Sequence, residues 1–296
     1  MTEAPRLVAA GEAVIDMIPQ GDSFRAVPGG AALNAACAAA RLGLSTGFFG
    51  ALSNDALGTR LAQTAVQAGV DLRHTRRVDQ PCPVSIIELT EGNARYAIHH
   101  QGTAHDTITD RVLPDLSGTR AALLGGFSLI HDPAAQAFEA LAIELPSDTA
   151  LYLDLNIRPG LITDPAAYRA RLSRLMARAQ VVKASDEDLS WWGDDLRTAA
   201  PHALILHTQG AGGATAHRGD VTRHVPAPAA EVTDTVGAGD IFNAGFLAFA
   251  LEQGHPLLGS PDDIAAALHY AVTAASLSTE KAGAQGPTRE EIACAL

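Results

Sequence analysis

The chain of 296 residues is short of cysteine (3), of aromatic side chains (5%), and of positive charge, with 21 Lys and Arg against 33 Asp and Glu and a net charge of −12. The cysteines, Cys37, Cys82 and Cys294, are odd in number and unrelated in spacing. That suits reduced thiols in a cytoplasmic protein better than a disulfide framework. The deficit of Lys and Arg leaves no footprint for nucleic acid or an anionic membrane surface, since both need clustered positive charge. No run reaches the roughly 18 apolar residues of a membrane span. The first residues, with Glu3 and Glu12 around a very short apolar stretch, lack the hydrophobic region of a signal peptide. An anionic ligand must therefore be held locally, against the overall field.

What is present is an apolar fraction of 47% and 27 glycines. A chain of this length buries about 75% of the surface it exposes when unfolded, so a large core needs no disulfide or structural metal. Residues 1–296 read as a single domain. Apolar runs of strand length at 7–10, 47–52, 121–124, 150–155, 181–184 and 203–207 alternate with helical spacing at 31–42, 57–68, 133–145, 166–179, 239–252 and 264–281. That alternation predicts an α/β fold with a mostly parallel sheet covered on both faces. Residues from about 12 to 27 and from about 82 to 101 break the pattern and read as antiparallel ribbons, the second folded at Glu91-Gly92-Asn93. Together they predict a small β-sheet standing off the main domain as a lid.

The most informative segment spans residues 233–251. Phe242, Phe246 and Phe249 recur at helical spacing, which puts Gly237-Ala238-Gly239 at a helix N-terminus. Backbone N–H groups and the positive end of the helix dipole converge there, and small residues let an anion approach closely. Asp240 follows, where a carboxylate beside a phosphoryl group can accept a proton from an attacking hydroxyl. The plainer reading is that Asp234 or Asp240 caps the helix. No GxxxxGK[ST] occurs, and neither 237–242 nor 210–215 completes GxGxxG, which argues against a P-loop and against a dinucleotide-dependent dehydrogenase.

Elsewhere, Asp16 follows an apolar run, where it can accept bonds from two sugar hydroxyls or simply end a strand. Gly29 and Gly30 permit close approach of a backbone, and Asn34 offers donor and acceptor on the next helical turn; a turn and helix cap read equally well. Arg158 is an isolated cation suited to phosphate or to a surface ion pair. Thr208 and Gly210 end a strand beside a glycine cluster that also reads as a hairpin turn. His99, His100 and His105 show no metal-ligand spacing.

The segment 234–240, Asp-Thr-Val-Gly-Ala-Gly-Asp, resembles the DTxGAGD signature of the ribokinase-like (PfkB) carbohydrate kinases. The resemblance continues in order over nearly the whole chain. It takes in Gly11-Glu-Ala-Val-Ile-Asp16, Pro28-Gly-Gly-Ala-Ala-Leu-Asn34, Asp154-Leu-Asn-Ile-Arg158, Lys183-Ala-Ser-Asp-Glu-Asp188, Thr208-Gln-Gly-Ala-Gly-Gly213 and Lys281-Ala-Gly-Ala-Gln-Gly-Pro287. It implies a three-layer α/β/α domain with a small β-sheet lid, and a kinase that moves the γ-phosphate of ATP to a primary hydroxyl of a small sugar.

Carried over residue by residue, the resemblance makes Asp240 the base and Gly237, Ala238 and Gly239 the N–H groups that stabilise the γ-phosphate. Asp16, Gly29, Gly30 and Asn34, with Arg158, would bind the substrate; Lys183, Ser185, Thr208, Gly210 and Gly213 would lie along ATP. It implies Mg²⁺ with the nucleotide, near Asp188, and a monovalent cation such as K⁺ on carbonyls around Asp234, Val236 and residues 283–285. The family's NxxE appears as residues 185–188, Ser-Asp-Glu-Asp. The phrasing is most similar to the fructokinase-like branch. In 2-keto-3-deoxygluconate kinases an Arg precedes the lid triplet; here the triplet is Gly102-Thr-Ala104 and His100 takes that place, which favours a neutral sugar, with Arg95 able to compensate. Alternatives are that kinase, ribokinase, or a regulator that binds sugar or nucleotide without catalysis. A homodimer through the lid is also implied.

Overall fold

The computed structural model describes residues 3–90, 93–252, 257 and 259–296. Six parallel strands form most of an eight-stranded sheet: β1 (Leu7–Ala10), β4 (Thr46–Phe49), β9 (Ala121–Gly125), β10 (Ala150–Asp154), β11 (Val181–Ser185) and β12 (Leu204–Thr208). The order across the sheet is β14-β13-β12-β11-β10-β9-β1-β4, with β13 (Ala214–Arg218) and β14 (Val221–Val225) antiparallel at one edge. That antiparallel edge carries too little apolar alternation to be read from the sequence.

The strands explain the layers. Alternate residues point to opposite faces, so Leu7, Ala9, Tyr152 and Val181 enter one core while Val8, Ala10, Leu151 and Val182 enter the other. The first core packs against α1 (Ala31–Arg41), α2 (Ala56–Ala68), α7 (Ala238–Glu252), α8 (Pro261–Thr279) and α9 (Arg289–Ala295). The second packs against α3 (Ala134–Glu144), α4 (Pro165–Arg178), α5 (Asp186–Trp192) and α6 (Leu196–Ala199). The scarcity of aromatics is met by close approach of small residues: a Cβ on Gly245 of α7 would lie 3.0 Å from Ala271 Cα of α8.

The small sheet, in the order β3-β2-β7-β8, consists of β2 (Val14–Gln20), β3 (Ser23–Gly29), β7 (Val84–Thr90) and β8 (Asn93–His99). It joins the two expected ribbons, with β2 parallel to β7. Residues 91 and 92 of the expected turn lie outside the described residues. Two expectations need correction. The run 47–52 is two strands, β4 and β5 (Ala51–Ser53), the latter paired with β6 (Arg76–Val78). The chain breaks at Gly50, where a Cβ would lie 2.5 Å from Gly11 O. The last long helix covers Pro261–Thr279, not 264–281, because Ser260 and Asp263 form a capping box at its start.

Candidate active site

The site gathers at the carboxyl ends of the parallel strands, where ligands bind in open α/β sheets. A narrow pocket there is lined by Ala31, Gly125, Asp154, Asn156, Asp240 and Asn243, among others. Its roof is the start of α7. The N–H of Ala238 donates to Thr235 O (3.2 Å) and that of Ile241 to Gly237 O (2.9 Å). Among the described residues, those of Gly239 and Asp240 have no backbone acceptor, which leaves two donors facing the pocket end of the helix. Gly237 has φ +79, and a Cβ on it would stand 2.3 Å from Ala284 Cβ, so both conformation and contact demand glycine.

Asp240 is buried, and Asn34 Nδ2 of α1 donates to its Oδ2 (2.9 Å). The bond is not a cap: it links the two helices whose N-terminal ends flank the pocket. Burial, above all, pushes the Asp240 carboxyl up to about 7; Asp154 pushes the same way, while the Asn34 bond, Lys183 and Arg158 oppose it. Asp234 is no cap either. Its Oδ1 accepts from Val236 N (3.0 Å) and its Oδ2 from Gly283 N (2.8 Å), tying the turn before α7 to the loop containing Ala284.

Asp16 lies within β2, not just past the first strand as expected, because β1 ends at Ala10 and the chain has already crossed into the small sheet. Its carboxyl lies over Gly29, where a Cβ would come within 2.0 Å of Oδ2. Burial above all, with Glu12 acting the same way, raises its pKa to about 6 against a hydrogen bond from Ser85 and the weaker pull of Arg158. The Arg158 charge thus acts on both Asp16 and Asp240. Gly30, with φ +101, is pressed against the Glu12 carbonyl, 2.7 Å from where its Cβ would be. The buried Glu12 accepts from Ala31 N (2.9 Å) and from the Ser128 hydroxyl, giving α1 the cap that Gly30 lacks.

The residues expected along the nucleotide fall at the ends of β11 and β12, where Ser185 and Thr208 are register partners. Gly210 and Gly213 form the turn from β12 to β13, closed by Gln209 N donating to Gly213 O (2.9 Å). A Cβ on Gly213 would meet Val225 O at 2.0 Å, so this glycine has a packing duty of its own. Ser185 caps α5, and Asp188 completes the box, accepting from Ser185 N (2.8 Å) and from Ile157 N (2.6 Å). Each Asp188 oxygen thus accepts one backbone N–H, so the carboxylate braces the start of α5 against the segment after β10 and keeps acceptor capacity on both oxygens. Lys183 is buried beneath α7, its Nζ 3.1 Å from Asp154 Oδ1.

The sequence reading missed Glu12, Tyr152, Asn156 and Asn243, and gave Asp154 no role. Asn243 carried a signal: a polar amide in an apolar helix, three residues after Asp240 and so on its face. His100 is buried at the base of the small sheet, its Nδ1 3.3 Å from Asp106 Oδ1 and its ring stacked on His131 at 4.7 Å. The Arg95 side chain lies outside the described residues.

The model of the "pfkB family carbohydrate kinase" matches residues 5–291. A fructokinase of Rhizobium leguminosarum bv. trifolii is 38% identical over 256 residues, covering 82% of this chain and 78% of its own. The solved fructokinase of Xylella fastidiosa with bound ATP is 25% identical, with TM-score 0.89 and 97% of each chain covered. That of Vibrio cholerae O395, bound to fructose, ADP and calcium, is likewise 25% identical, with TM-score 0.88 over 98% of each chain. A family match over nearly the whole length, on the ribokinase-like fold and with a pocket at its strand ends, leads to one conclusion: this chain belongs to the pfkB family of carbohydrate kinases and is a phosphotransferase acting on a sugar hydroxyl.

Proposed function

We propose that the protein is a cytoplasmic fructokinase, transferring the γ-phosphate of ATP to a primary hydroxyl of fructose. The observation that carries the reading is Asp240, buried beside two open N–H donors and held by Asn34. A carboxylate with a pKa near 7 is matched to taking a proton at neutral pH. In this reading the sugar lies between the small sheet and α1, on Asp16, Gly29, Gly30 and Asn34. Its hydroxyl gives its proton to Asp240 as its oxygen attacks the γ-phosphorus and the bond to the β,γ-bridging oxygen breaks, with ADP as the leaving group. The open N–H groups at the start of α7, with Arg158, take up charge on the phosphoryl oxygens; that of Ala238, expected among them, is already given to Thr235 O.

ATP runs across the ends of β11 and β12, along Ser185, Thr208, Gly210 and Gly213. Bound with the nucleotide, Mg²⁺ would supply charge neutralisation on the phosphates, and Asp188 at the start of α5 is the residue that would hold it. The loop of residues 283–285, tied to Asp234, is where a monovalent cation would sit. Fructose is favoured over 2-keto-3-deoxygluconate because His100, packed against His131 and Asp106, presents no guanidinium to a carboxylate. Dimerisation through the small sheet is part of the same reading, and Phe24 on β3 is half-exposed for it.

The test is ADP release with fructose, 2-keto-3-deoxygluconate and ribose. Fructose should give the highest kcat/KM; no release with any sugar would leave only a binding protein, and sugar-independent release an ATP hydrolase. Asp240→Asn should fold, bind ATP and lose about 10²-fold or more in kcat. Near-normal turnover would remove Asp240 as the base.

A further inference from the structure

Beneath α7, four polar side chains from three elements form a buried chain. Tyr152 and Asp154 stand two apart on β10 and so share a face; Asp154 is the register partner of Lys183 on β11. Asn243 descends from α7, one turn after Asp240. The Tyr152 hydroxyl donates to Asn243 Oδ1 (2.9 Å), and Asn243 Nδ2 donates to Asp154 Oδ2 (2.7 Å). The other Asp154 oxygen lies 3.1 Å from Lys183 Nζ. A Cβ on Gly239 would come within 3.2 Å of the same Nζ, so the ammonium lies directly under the turn that opens α7.

Lys183 is only 4% exposed and Asp154 is equally enclosed. A buried ion pair is a poor device for stability, because desolvation takes back most of what the charges gain. An ammonium meant for a diffusing phosphate would face the open side of the turn, whereas this one is walled in by Gly239, Asp154 and Asp240.

We propose that Lys183 and Asp154 are positioning residues for phosphoryl transfer, a buried pair that holds Gly239 and Asp240 in place and balances the charge around the base, and that Lys183 is not a nucleotide contact. This rests on the reading of Asp240 as the base. The groups that face the centre are Asp154, Tyr152 and Arg158 from β10 and the segment after it, Lys183 from β11, Asp188 from α5, Asn34 from α1, and Asp240 and Asn243 from α7. The opposing influences on Asp240 from below are Asp154, which disfavours its ionisation, and Lys183, which favours it. Burial lowers the affinity of Lys183 for its proton, yet the three acids around it more than offset that and keep it charged.

The pair predicts effects of opposite sign, which a merely structural role would not produce. In the full-length protein, Lys183→Met should lower kcat at neutral pH about tenfold, leave KM for ATP within about threefold, and move the acidic limb of kcat/KM up by about half a pH unit or more. Asp154→Asn should move that limb down. Lys183→Arg should restore the limb position in part, because it returns the charge.

A rise of about tenfold or more in KM for ATP, with kcat and the limb unchanged, would make Lys183 a nucleotide contact and overturn the proposal. If Lys183→Met does not fold, by near-UV circular dichroism, the direction of the limb in Asp154→Asn decides: downward supports the pair, unmoved or upward overturns it. Asp240→Asn separates the two readings. If it retains turnover, the base assignment fails; if it is inactive while both limbs stay fixed, only the positioning pair fails.

Discussion

Two carboxylates in the site are held out of the ordinary acid range, Asp240 near 7 and Asp16 near 6, both chiefly by burial. Each must be ionised to do what is proposed for it, one to take a proton and the other to accept bonds from sugar hydroxyls. In the free enzyme, kcat/KM for sugar should therefore fall with a slope of one below about pH 7 and approach a slope of two below about pH 6. A profile with a single proton and a midpoint near 4 would contradict this. The same shifts act on stability with a definite sign. Both groups hold a proton more tightly when folded, so between their unfolded pKa near 4 and these raised values the folded state loses stability as pH rises.

At this scale the sequence was informative where a motif concentrates chemistry. Asp240 and Gly237 could be placed at a helix N-terminus directly, because the aromatic spacing that follows marks where α7 begins. Glu12, Tyr152 and Asn243 could not, because each acts through a partner far away in the chain. Ser128 is 116 residues from Glu12, and Asn243 is 91 from Tyr152. No local pattern reports such a pairing.

Among the elements, α7 does the most work, since its first turn faces the pocket and its remaining length is core. Phe246 is fully buried and meets Tyr152 at a ring separation of 6.2 Å, joining the helix to the strand that carries Asp154. Phe246→Ala should cost about 3–5 kcal/mol of unfolding free energy in urea titration. A loss under about 1 kcal/mol would mean that the helix–sheet contact is looser than described.

The long helices and central strands were legible because their apolar periodicity is strong. Elements whose identity depends on neighbours were not. The strand interrupted at Gly50 is continuous in its apolar pattern, and the close approach of Gly50 to the Gly11 carbonyl exists only in the fold. The short helices α5 and α6 are set by caps at Ser185 and Asp195, which in a sequence look like any polar residue before a turn.

Taken whole, the molecule binds a polyanion while carrying a net charge of −12. Local N–H groups can hold ATP, but they do not remove the long-range repulsion an approaching nucleotide meets. Raising ionic strength with choline chloride from about 10 to 150 mM, at fixed Mg²⁺ and K⁺, should raise kcat/KM for ATP about twofold or more. The value for fructose, which is uncharged, should stay flat. A fall with salt for ATP would point instead to steering by a local basic surface.

The buried carboxylate of Glu12 has a mechanical consequence. The chain leaves the large sheet at Gly11 to build β2 and β3, and it returns at Ala31 to start α1. Glu12 grips Ala31 N from the outgoing leg, while Gly30 of the returning leg lies flat on the Glu12 carbonyl. The two legs are thereby riveted together at the point where they meet the main body. The joint that carries the small sheet is therefore the one from which α1 projects Asn34 toward Asp240, so β2 and β3 are mechanically continuous with the proposed base.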